Sequence, residues 1–302
     1  MDGRRWKSCQ SHQKSRVEAL TSLPVSVCIP VRNEERNLPE CLRSLRNSFD
    51  EIIVVDSGST DSTRAIAADY GAIVLDFNWN GAFPKKRNWT LMNHPFRHPW
   101  VLFLDADERL TEGVIEELRC VLPDSTHVGY WLQFDNWFMG RPLRYGDLFR
   151  KLALFRTDAG MYERFPEERW TNMDMEVHEH PVLHGTIGEI RSRLVHHGYN
   201  GMAHHIAKHN EYSTWEANRF LWLESANPEV WGALTARQKI KYKRLATWWL
   251  PWLYFASAFV LKAGFLDGWV GWTFARLKMR YFDEIRLKIL DIKREQLKRP
   301  VT

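Results

Sequence analysis

The sequence predicts an α/β fold in which helices flank a mostly parallel, Rossmann-like sheet. Short apolar runs rich in β-branched residues alternate with segments of helical periodicity as far as Leu122. A polar loop follows each apolar run, as at the strand ends of doubly wound sheets. The length of 302 residues is enough for one large domain with an appendage.

The predicted elements alternate between strand and helix. Two signals mark helix ends, because Asn37 with Glu40 fits a capping box and Gly71 fits a helix terminus. The predicted order is a strand at Val25–Val31, a helix after Asn37, a strand at Ile52–Val55, a helix closed by Gly71, a strand at Ala72–Leu75, a helix across Lys85–Asn93, a strand at Val101–Leu104 and a helix at Thr111–Leu122.

Aromatic-rich segments follow Leu122. Strands are predicted at Tyr130–Phe134 and Leu152–Phe155, with a turn at Gly140–Pro142 between them. These strands are expected to extend the sheet.

The amino terminus and the cysteines indicate the compartment. Met1–Leu23 is polar and basic, with no apolar segment of the kind found in signal peptides, so we expect a flexible tail. The four cysteines lie far apart and form no CxxC pair, which argues against a disulfide framework and a thiolate zinc site. Both observations favour a reducing cytoplasm.

Polar side chains gather where the predicted strands end. Asn33, Asp56 and Asp105 each come just after a strand. In an open α/β sheet, ligands bind outside the carboxyl ends of the strands. Asp105, Asp107 and Glu108 supply oxygen ligands suited to a divalent cation that carries a diphosphate. An Asp-x-Asp pattern is common by chance, so its neighbours must support this interpretation.

Four motifs occur in the order and spacing that resemble the inverting family 2 glycosyltransferases. They are Val27-Cys-Ile-Pro-Val-Arg-Asn-Glu-Glu35, Ile53-Val-Val-Asp-Ser-Gly-Ser-Thr-Asp-Ser-Thr63, Lys86-Arg-Asn88 and Leu104-Asp-Ala-Asp-Glu108. Val177-His-Glu179 and His196-His197 make the chain most similar to the group with lipopolysaccharide-core glucosyltransferases. The resemblance implies a type A nucleotide-sugar fold over residues 24–225, with a C-terminal helical region at 226–302.

The resemblance also implies a nucleotide pocket. It is expected to contain residues from the ends of the first two strands, together with one cation and one carboxylate: Pro30, Asn33, Glu34, Asp56, Arg87 and Asp105. Asp56 would accept hydrogen bonds from the base or ribose, although it could instead cap the next turn. Of the basic cluster at 85–87, at most one or two side chains can reach a diphosphate, since three adjacent side chains on a helix point in different directions, and the family pattern favours Arg87.

Family precedent makes Asp107 a direct ligand of Mg²⁺ or Mn²⁺, with His197 or else His196 as a further contact. Glu108 is expected to be structural. Inversion needs a base opposite the leaving group, and Glu179 occupies the place of the family's catalytic carboxylate. Asp174 and Glu176 are rivals a few residues away. A zinc hydrolase is not expected, because the histidines at 178–184 lack HExxH spacing.

The C-terminal region is aromatic and basic. Leu245–Leu261 has seventeen residues without a charge, but it contains Pro251 and several tryptophans, which favour the membrane interface. Basic residues flank this run on both sides, so we expect an amphipathic or re-entrant element on the cytoplasmic face. A helical pair packed on the rest of the chain, or a homodimer interface, is the alternative. No nucleic-acid reader motif is present.

Together these features predict a metal-dependent inverting glycosyltransferase. Its donor would be a nucleoside-diphosphate sugar, with a UDP-sugar as the first expectation, and its acceptor a lipid-linked or cell-envelope glycan at the membrane surface. Two alternatives remain open: a polyprenyl-phosphate sugar synthase, and a non-catalytic nucleotide-sugar sensor or membrane scaffold.

Overall fold

The computed structural model describes residues 22–146, 148–164, 170–171, 173–175, 180–226 and 228–298. The chain divides into two compact units. The first unit contains the described residues of Met1–Asp135, Phe149–Glu168 and Met173–His196, and the second contains those of Asn136–Leu148, Arg169–Asn172 and His197–Thr302.

The predicted tail lies mostly outside the described residues, which begin at Ser22. Leu23, its last residue, is buried and donates its backbone N–H to the Ser48 carbonyl at 2.8 Å. The packed part of the first unit therefore includes Leu23.

Four parallel strands form one half of a nine-stranded sheet, in the spatial order β3-β2-β1-β4. They are β1 Val25–Val31, β2 Ile52–Asp56, β3 Ile73–Asp76 and β4 Trp100–Phe103. Every residue of β1 is buried, as expected for a central strand covered on both faces. The predicted parallel strands are confirmed to within one residue at each end.

The other half of the sheet is antiparallel, so the sheet as a whole is mixed. β8 pairs with β4, β6 pairs with β8, and β11 and β5 follow toward the edge. β9 and β10 form a separate antiparallel pair. The bounds are β5 Glu108–Arg109, β6 Gly129–Phe138, β7 Arg141–Pro142, β8 Arg150–Arg156, β9 Gly160–Tyr162, β10 Pro181–Leu183 and β11 Ile187–His196. The predicted aromatic strands are confirmed as extensions of the sheet, in β6 and β8.

The helices of the first unit are α1 Leu38–Leu45, α2 Thr63–Asp69, α3 Lys86–Asn93 and α4 Glu112–Val121. The predicted capping box of α1 is wrong. The Asn37 side chain makes no capping bond and instead donates from Nδ2 to Glu34 Oε2 at 2.8 Å. Gly71 follows α2 with a φ of 75°, which is the left-handed conformation predicted at that helix end.

The second unit is helical over its longest stretch. It contains α5 Met202–Ser225, α6 Pro228–Ala233, α7 Ala236–Arg244, α8 Leu250–Ala256 and α9 Gly268–Lys298, with a π turn at Ser257–Leu261 and a 3-10 turn at Gly264–Asp267. Its core includes Tyr242, Leu245, Ile285 and Ile289. The predicted boundary at 225/226 falls inside this unit, at the end of α5.

A sharp bend joins the helical segments Leu250–Leu261 and Gly264–Lys298, which meet at 73°. Two glycines allow the close approach there. A Cβ on Gly264 would lie 2.5 Å from the Ala258 carbonyl oxygen, and one on Gly271 would lie 2.0 Å from that of Gly264. Among the described residues, no single helix has the length and apolar character to cross a membrane, and only this bent pair passes that test when taken together.

Candidate functional site

The loops that follow β1 and β2 are joined by reciprocal hydrogen bonds. The Asn33 backbone N–H donates to Ser59 Oγ at 2.8 Å, and Asn33 Oδ1 accepts from the Thr60 N–H at 2.8 Å. The Glu34 N–H donates to Thr63 Oγ1 at 2.8 Å. The two predicted nucleotide-binding residues, Asn33 and Glu34, therefore fix one loop against the other at the carboxyl edge of the parallel strands.

Pro30 lies near the end of β1, opposite Val55. The last β1–β4 pair joins Cys28 to Phe103, so the missing Pro30 N–H comes after that pairing has ended and breaks no hydrogen bond in it. The proline thus marks the point at which β1 leaves β4.

Asp56 ends β2 and is buried. Its carboxylate accepts hydrogen bonds from the Ser59 N–H at 3.1 Å and from Arg64 at 3.0 Å. Burial acts to raise the pKa of Asp56, but the bonds from Ser59 and Arg64 outweigh it and lower the pKa. The turn-capping role considered for Asp56 is therefore present, and its contact with a nucleotide stays a prediction.

The basic cluster at the start of α3 is not a solvated helical face, because Lys85, Lys86 and Arg87 are all buried. Lys86 Nζ donates to the Val31 carbonyl at 3.0 Å and to Ser57 Oγ at 2.7 Å. Burial lowers the pKa of Lys86, and the nearby Asp174 opposes that shift. The lysine fixes the ends of β1 and β2 from inside.

Two cations and two carboxylates form a compact cluster beyond β4. Arg87 Nη2 lies 2.6 Å from Asp105 Oδ1, and Lys151 Nζ lies 2.8 Å from Asp105 Oδ2. Lys151 also lies 3.2 Å from Glu108. Asp105 is therefore held between two cations, and both of its carboxylate oxygens already have a charged partner.

Glu108 is almost fully buried below this cluster. Its carboxylate accepts the Asp105 N–H at 2.9 Å, which closes the turn containing the two aspartates. Burial raises the pKa of Glu108 to about 7, and the charge of Lys151 acts in the opposite direction. The expected structural role of Glu108 fits these contacts.

Asp107 lies beside His196, with 3.5 Å between Asp107 Oδ2 and His196 Nε2. The pairing of β5 with β11 places His196 opposite Glu108 in the sheet, one residue from Asp107. His197 belongs to the second unit, where its ring stacks on Trp137 with centroids 5.2 Å apart. Of the two histidines considered, His196 therefore has the contact with the aspartate, while a metal role for His197 stays a prediction.

Asp107 and His196 are a close pair of possible metal donors at this turn. Among the described residues, no group of three or more His, Cys, Asp or Glu is placed to hold a metal ion. The Asp107 and His196 donors are 3.5 Å apart, close to the roughly 3 Å between neighbouring ligands of an octahedral Mg²⁺. Asp107 offers the carboxylate oxygen that Mg²⁺ and Mn²⁺ prefer, whereas the imidazole of His196 is a less usual ligand for either ion, so diphosphate oxygens and water would have to supply most of the coordination.

Of the three carboxylates considered as the base, only Asp174 lies within the described residues. Glu179 and its rival Glu176 lie outside the described residues. Asp174 is described, and its carboxylate lies 3.3 Å from Lys86 Nζ. Because this carboxylate already forms an ion pair with a buried lysine, it would have to break that pair to act as a base, so the geometry disfavours Asp174 for that role.

Lys151 and His196 come to the site through pairing between strands that lie far apart in the chain. Lys151 reaches the cluster because β8 lies next to β4, and His196 does so through the β5–β11 pair. In the sequence, Lys151 is marked only by its place directly before the predicted strand at 152–155.

Comparison with known proteins gives a match to one family model. Residues 26–177 match the model described as "Glycosyl transferase family 2". The matched segment contains β2 to β4, all of β1 except Val25, and the Asp105–Glu108 turn, whereas His196 lies beyond its end.

The chain is also similar to individual proteins. The chain is 30% identical over 223 residues to the lipopolysaccharide core biosynthesis glycosyltransferase LpsC of Rhizobium meliloti, with 66% of this chain and 73% of LpsC covered. It is 43% identical over 98 residues to a TPR repeat-containing protein of Synechococcus elongatus. This match covers 32% of this chain but only 24% of that protein. The structure of S. aureus TarS 1-349 with UDP-GlcNAc aligns over 91% of this chain and 93% of its own, with 16% identity and a TM-score of 0.45.

Proposed function

Because the chain is a glycosyltransferase of family 2, we propose that it moves a sugar from a nucleoside-diphosphate donor to a lipid-linked or cell-envelope glycan. The reaction would use Mg²⁺ or Mn²⁺ and invert the anomeric carbon. One observation carries this proposal: Asp107 and His196, 3.5 Å apart, adjoin the cluster in which Arg87 and Lys151 hold Asp105.

The residues of this edge have distinct proposed roles. Asp107 and His196 would hold the cation, which neutralises charge on the leaving diphosphate when it is bound. Arg87 and Lys151 lie at the same turn and would attract the phosphates electrostatically. Asp105 would keep both cations in position. The hydrogen-bonded loops that contain Asn33 and Asp56 would bind the nucleotide, and a UDP-sugar is the proposed donor.

Glu179 is our proposed base for the acceptor hydroxyl. Among its rivals, Asp174 is already paired with Lys86 at 3.3 Å. A base must lie within hydrogen-bond reach of the proton it removes and must be available to accept it. The proposal for Glu179 rests on the Val177-His-Glu179 motif, which occupies the place of the family's catalytic carboxylate.

The acceptor proposal rests on the relatives. LpsC is named for lipopolysaccharide core biosynthesis, and the chain covers 73% of its length. We propose by analogy an acceptor of the cell envelope, reached at the cytoplasmic face of the membrane.

The proposal can be tested by measuring nucleoside-diphosphate release from a panel of UDP-, GDP- and CDP-sugars in Mn²⁺, Mg²⁺ or EDTA. One donor is expected to support metal-dependent turnover. Asp107→Asn should lower kcat by about 10²-fold or more, because it removes a carboxylate from the proposed metal site. Asp158→Asn is the matched control, since Asp158 is exposed and pairs only with Arg156 at 3.4 Å.

Activity that persists in EDTA and is equal in Asp107→Asn and the wild type would contradict the metal assignment. Donor binding without turnover across an acceptor library would instead favour a sensor. Glu179→Gln separates the two enzyme candidates. It should abolish transfer to a sugar hydroxyl, whereas a polyprenyl-phosphate acceptor needs little base assistance and should tolerate it.

A further inference from the structure

The second unit exposes an unusual number of large apolar side chains around its bend. The most exposed is Leu261, at 78%, followed by Trp248 at 72%. Nine such residues lie within 25 positions of the chain, and they are called the aromatic surface below: Trp248, Trp252, Leu253, Val260, Leu261, Phe265, Leu266, Trp269 and Trp272. Exposed apolar clusters of this kind mark binding surfaces, because water contact with them is unfavourable.

An open groove of about 660 Å³ adjoins part of this surface. Tryptophans and arginines line it together, and the lining includes Trp248, Trp252, Trp272, Arg276, Arg280 and Arg286. Trp272 is held by its neighbours, with ring centroids 5.1 Å from Phe255 and 5.2 Å from Phe259. The lining of the groove is therefore amphipathic, because it combines apolar rings with cationic side chains.

The charge of the groove is positive. Three arginines and the single acid Asp283 line it, which gives a formal charge of +2. Arg280 pairs with Glu284 at 2.7 Å, and Arg286 pairs with Asp283 at 2.9 Å. Arg276 is exposed and makes no hydrogen bond or ion pair with any described residue, so its guanidinium is available to an anion.

We propose that this groove binds the phosphate of an anionic membrane lipid at Arg276 and Arg280, while the aromatic surface enters the lipid interface. An arginine fork matches phosphate geometry. Tryptophan favours the depth at which lipid headgroups meet acyl chains. A lipid presents an anionic head directly next to apolar chains, and the lining of the groove places arginines next to tryptophans.

The geometry of the bend supports a surface contact. Leu261, Phe265 and Leu266 lie at the bend itself, where the two segments meet at 73°. Apolar residues at a bend can enter a bilayer together to a shallow depth, while flanking cations stay with the headgroups. A free phosphate would use the arginines alone and would leave the tryptophans without a role.

Vesicle co-sedimentation tests the proposal directly. The full chain should bind vesicles that contain 30% phosphatidylglycerol more tightly than pure phosphatidylcholine. Arg276→Gln with Arg280→Gln should reduce affinity for the anionic vesicles by about 20-fold, at roughly 1 kcal/mol for each basic residue near the surface. Arg294→Gln with Lys298→Gln is the matched control, since both are exposed on the same helix and lie outside the groove.

A second variant separates the contribution of the tryptophans to vesicle binding from that of the arginines. Trp252→Ser should weaken binding to both kinds of vesicle, because Trp252 is 61% exposed and lines the groove. Equal binding of anionic vesicles by the wild type and the double arginine variant would overturn the proposal. Loss of vesicle binding in millimolar inorganic phosphate, at constant ionic strength, would also overturn it by assigning the site to free phosphate.

A homodimer surface would give a different result. The wild type would then show concentration-dependent dimerisation that Trp252→Ser abolishes, without vesicle binding, and this would overturn the lipid assignment. Donor hydrolysis in the absence of vesicles is measured in parallel. It should be unchanged in the arginine variant, so failure of the lipid proposal can be distinguished from failure of the proposed catalytic function.

Discussion

The two units treat charge and apolar surface in opposite ways. The first unit buries ionic groups: Lys86, Arg87 and Glu108 are each at most 4% exposed, and each has an oppositely charged neighbour. The second unit leaves Trp248 and Leu261 more than 70% exposed. Both choices are unfavourable for an isolated protein, since buried charges lose hydration and exposed tryptophans order water.

The buried charges of the first unit and the exposed apolar side chains of the second each indicate a kind of ligand whose binding would offset the unfavourable free energy. A cluster of paired charges can exchange one partner for another anion, such as a diphosphate, with little reorganisation. The aromatic surface, with a cationic groove beside it, would lose its unfavourable contact with water at a lipid interface. On the two proposals made above, the first unit is organised for chemistry and the second for attachment, and three measurements test the difference between them.

The largest expected effect is in the buried cluster. Lys151→Met leaves Glu108 and Asp105 without one of their cations, and we expect a loss of about 3 kcal/mol in the free energy of unfolding at pH 8. The loss should shrink below pH 6. Glu108 then takes up a proton in the folded state, where its pKa is about 7 against 4.5 in a free glutamate, and the unpaired charge disappears.

Urea unfolding of Lys151→Met at the two pH values provides this measurement. Lys151→Arg is the control, because it retains the cation and should cost less. Equal losses for the methionine and arginine variants would show that packing, and not charge pairing, stabilises this cluster.

An intermediate effect is expected from acid in the second unit. Burial lowers the pKa of His205 to about 4, with the neighbouring His209 contributing to the shift. The unfolded chain then binds the proton more readily between pH 6.5 and 4, so stability falls as the pH drops through that window. We expect a loss of about 1 kcal/mol, after allowance for the partial exposure of the ring.

This pH dependence can be followed by thermal unfolding of His205→Asn, in which the slope between pH 6.5 and 4 should flatten. His204→Asn is the matched control, since His204 is exposed one position away. A wild-type slope that survives in His205→Asn would assign the acid sensitivity to other groups.

The smallest effect is expected from the aromatic surface. Trp269 is 57% exposed, so Trp269→Ala should change the free energy of unfolding by only about 0.5 kcal/mol or less. Trp215→Ala in the same unit should cost about 3–5 kcal/mol, because Trp215 is fully buried. Comparable losses in urea unfolding would mean that Trp269 belongs to the folded core and would remove the basis of the comparison.

Sequence reasoning succeeded where the structure depends on local patterns. The parallel strands were predicted correctly because apolar, β-branched runs such as Ile52–Val55 can be buried only inside a sheet. It failed at Asn37, where the side chain binds Glu34 and not the helix terminus. A neighbouring acceptor outside the helix competes with capping, and a propensity rule does not include it.

The site was predicted in part for the same reason. Asp56, Asp105 and Asp107 follow strands directly, so their approach to one edge could be expected. The contacts of Lys151 and His196 could not, because they depend on antiparallel pairing between segments far apart in the chain. Pairing of that kind is set by the whole sheet, and no local window contains it.

The glycines at the bend of the second unit have a consequence for the family's history. A side chain at position 264 or 271 would collide with backbone oxygen, at 2.5 and 2.0 Å respectively, so neither position tolerates drift while the bend is kept. Descendants of a common ancestor that preserve the bend should therefore keep both glycines together, even where every surrounding apolar residue has been exchanged. Lineages that lost one glycine should have lost the other, and with it the angle between the two segments.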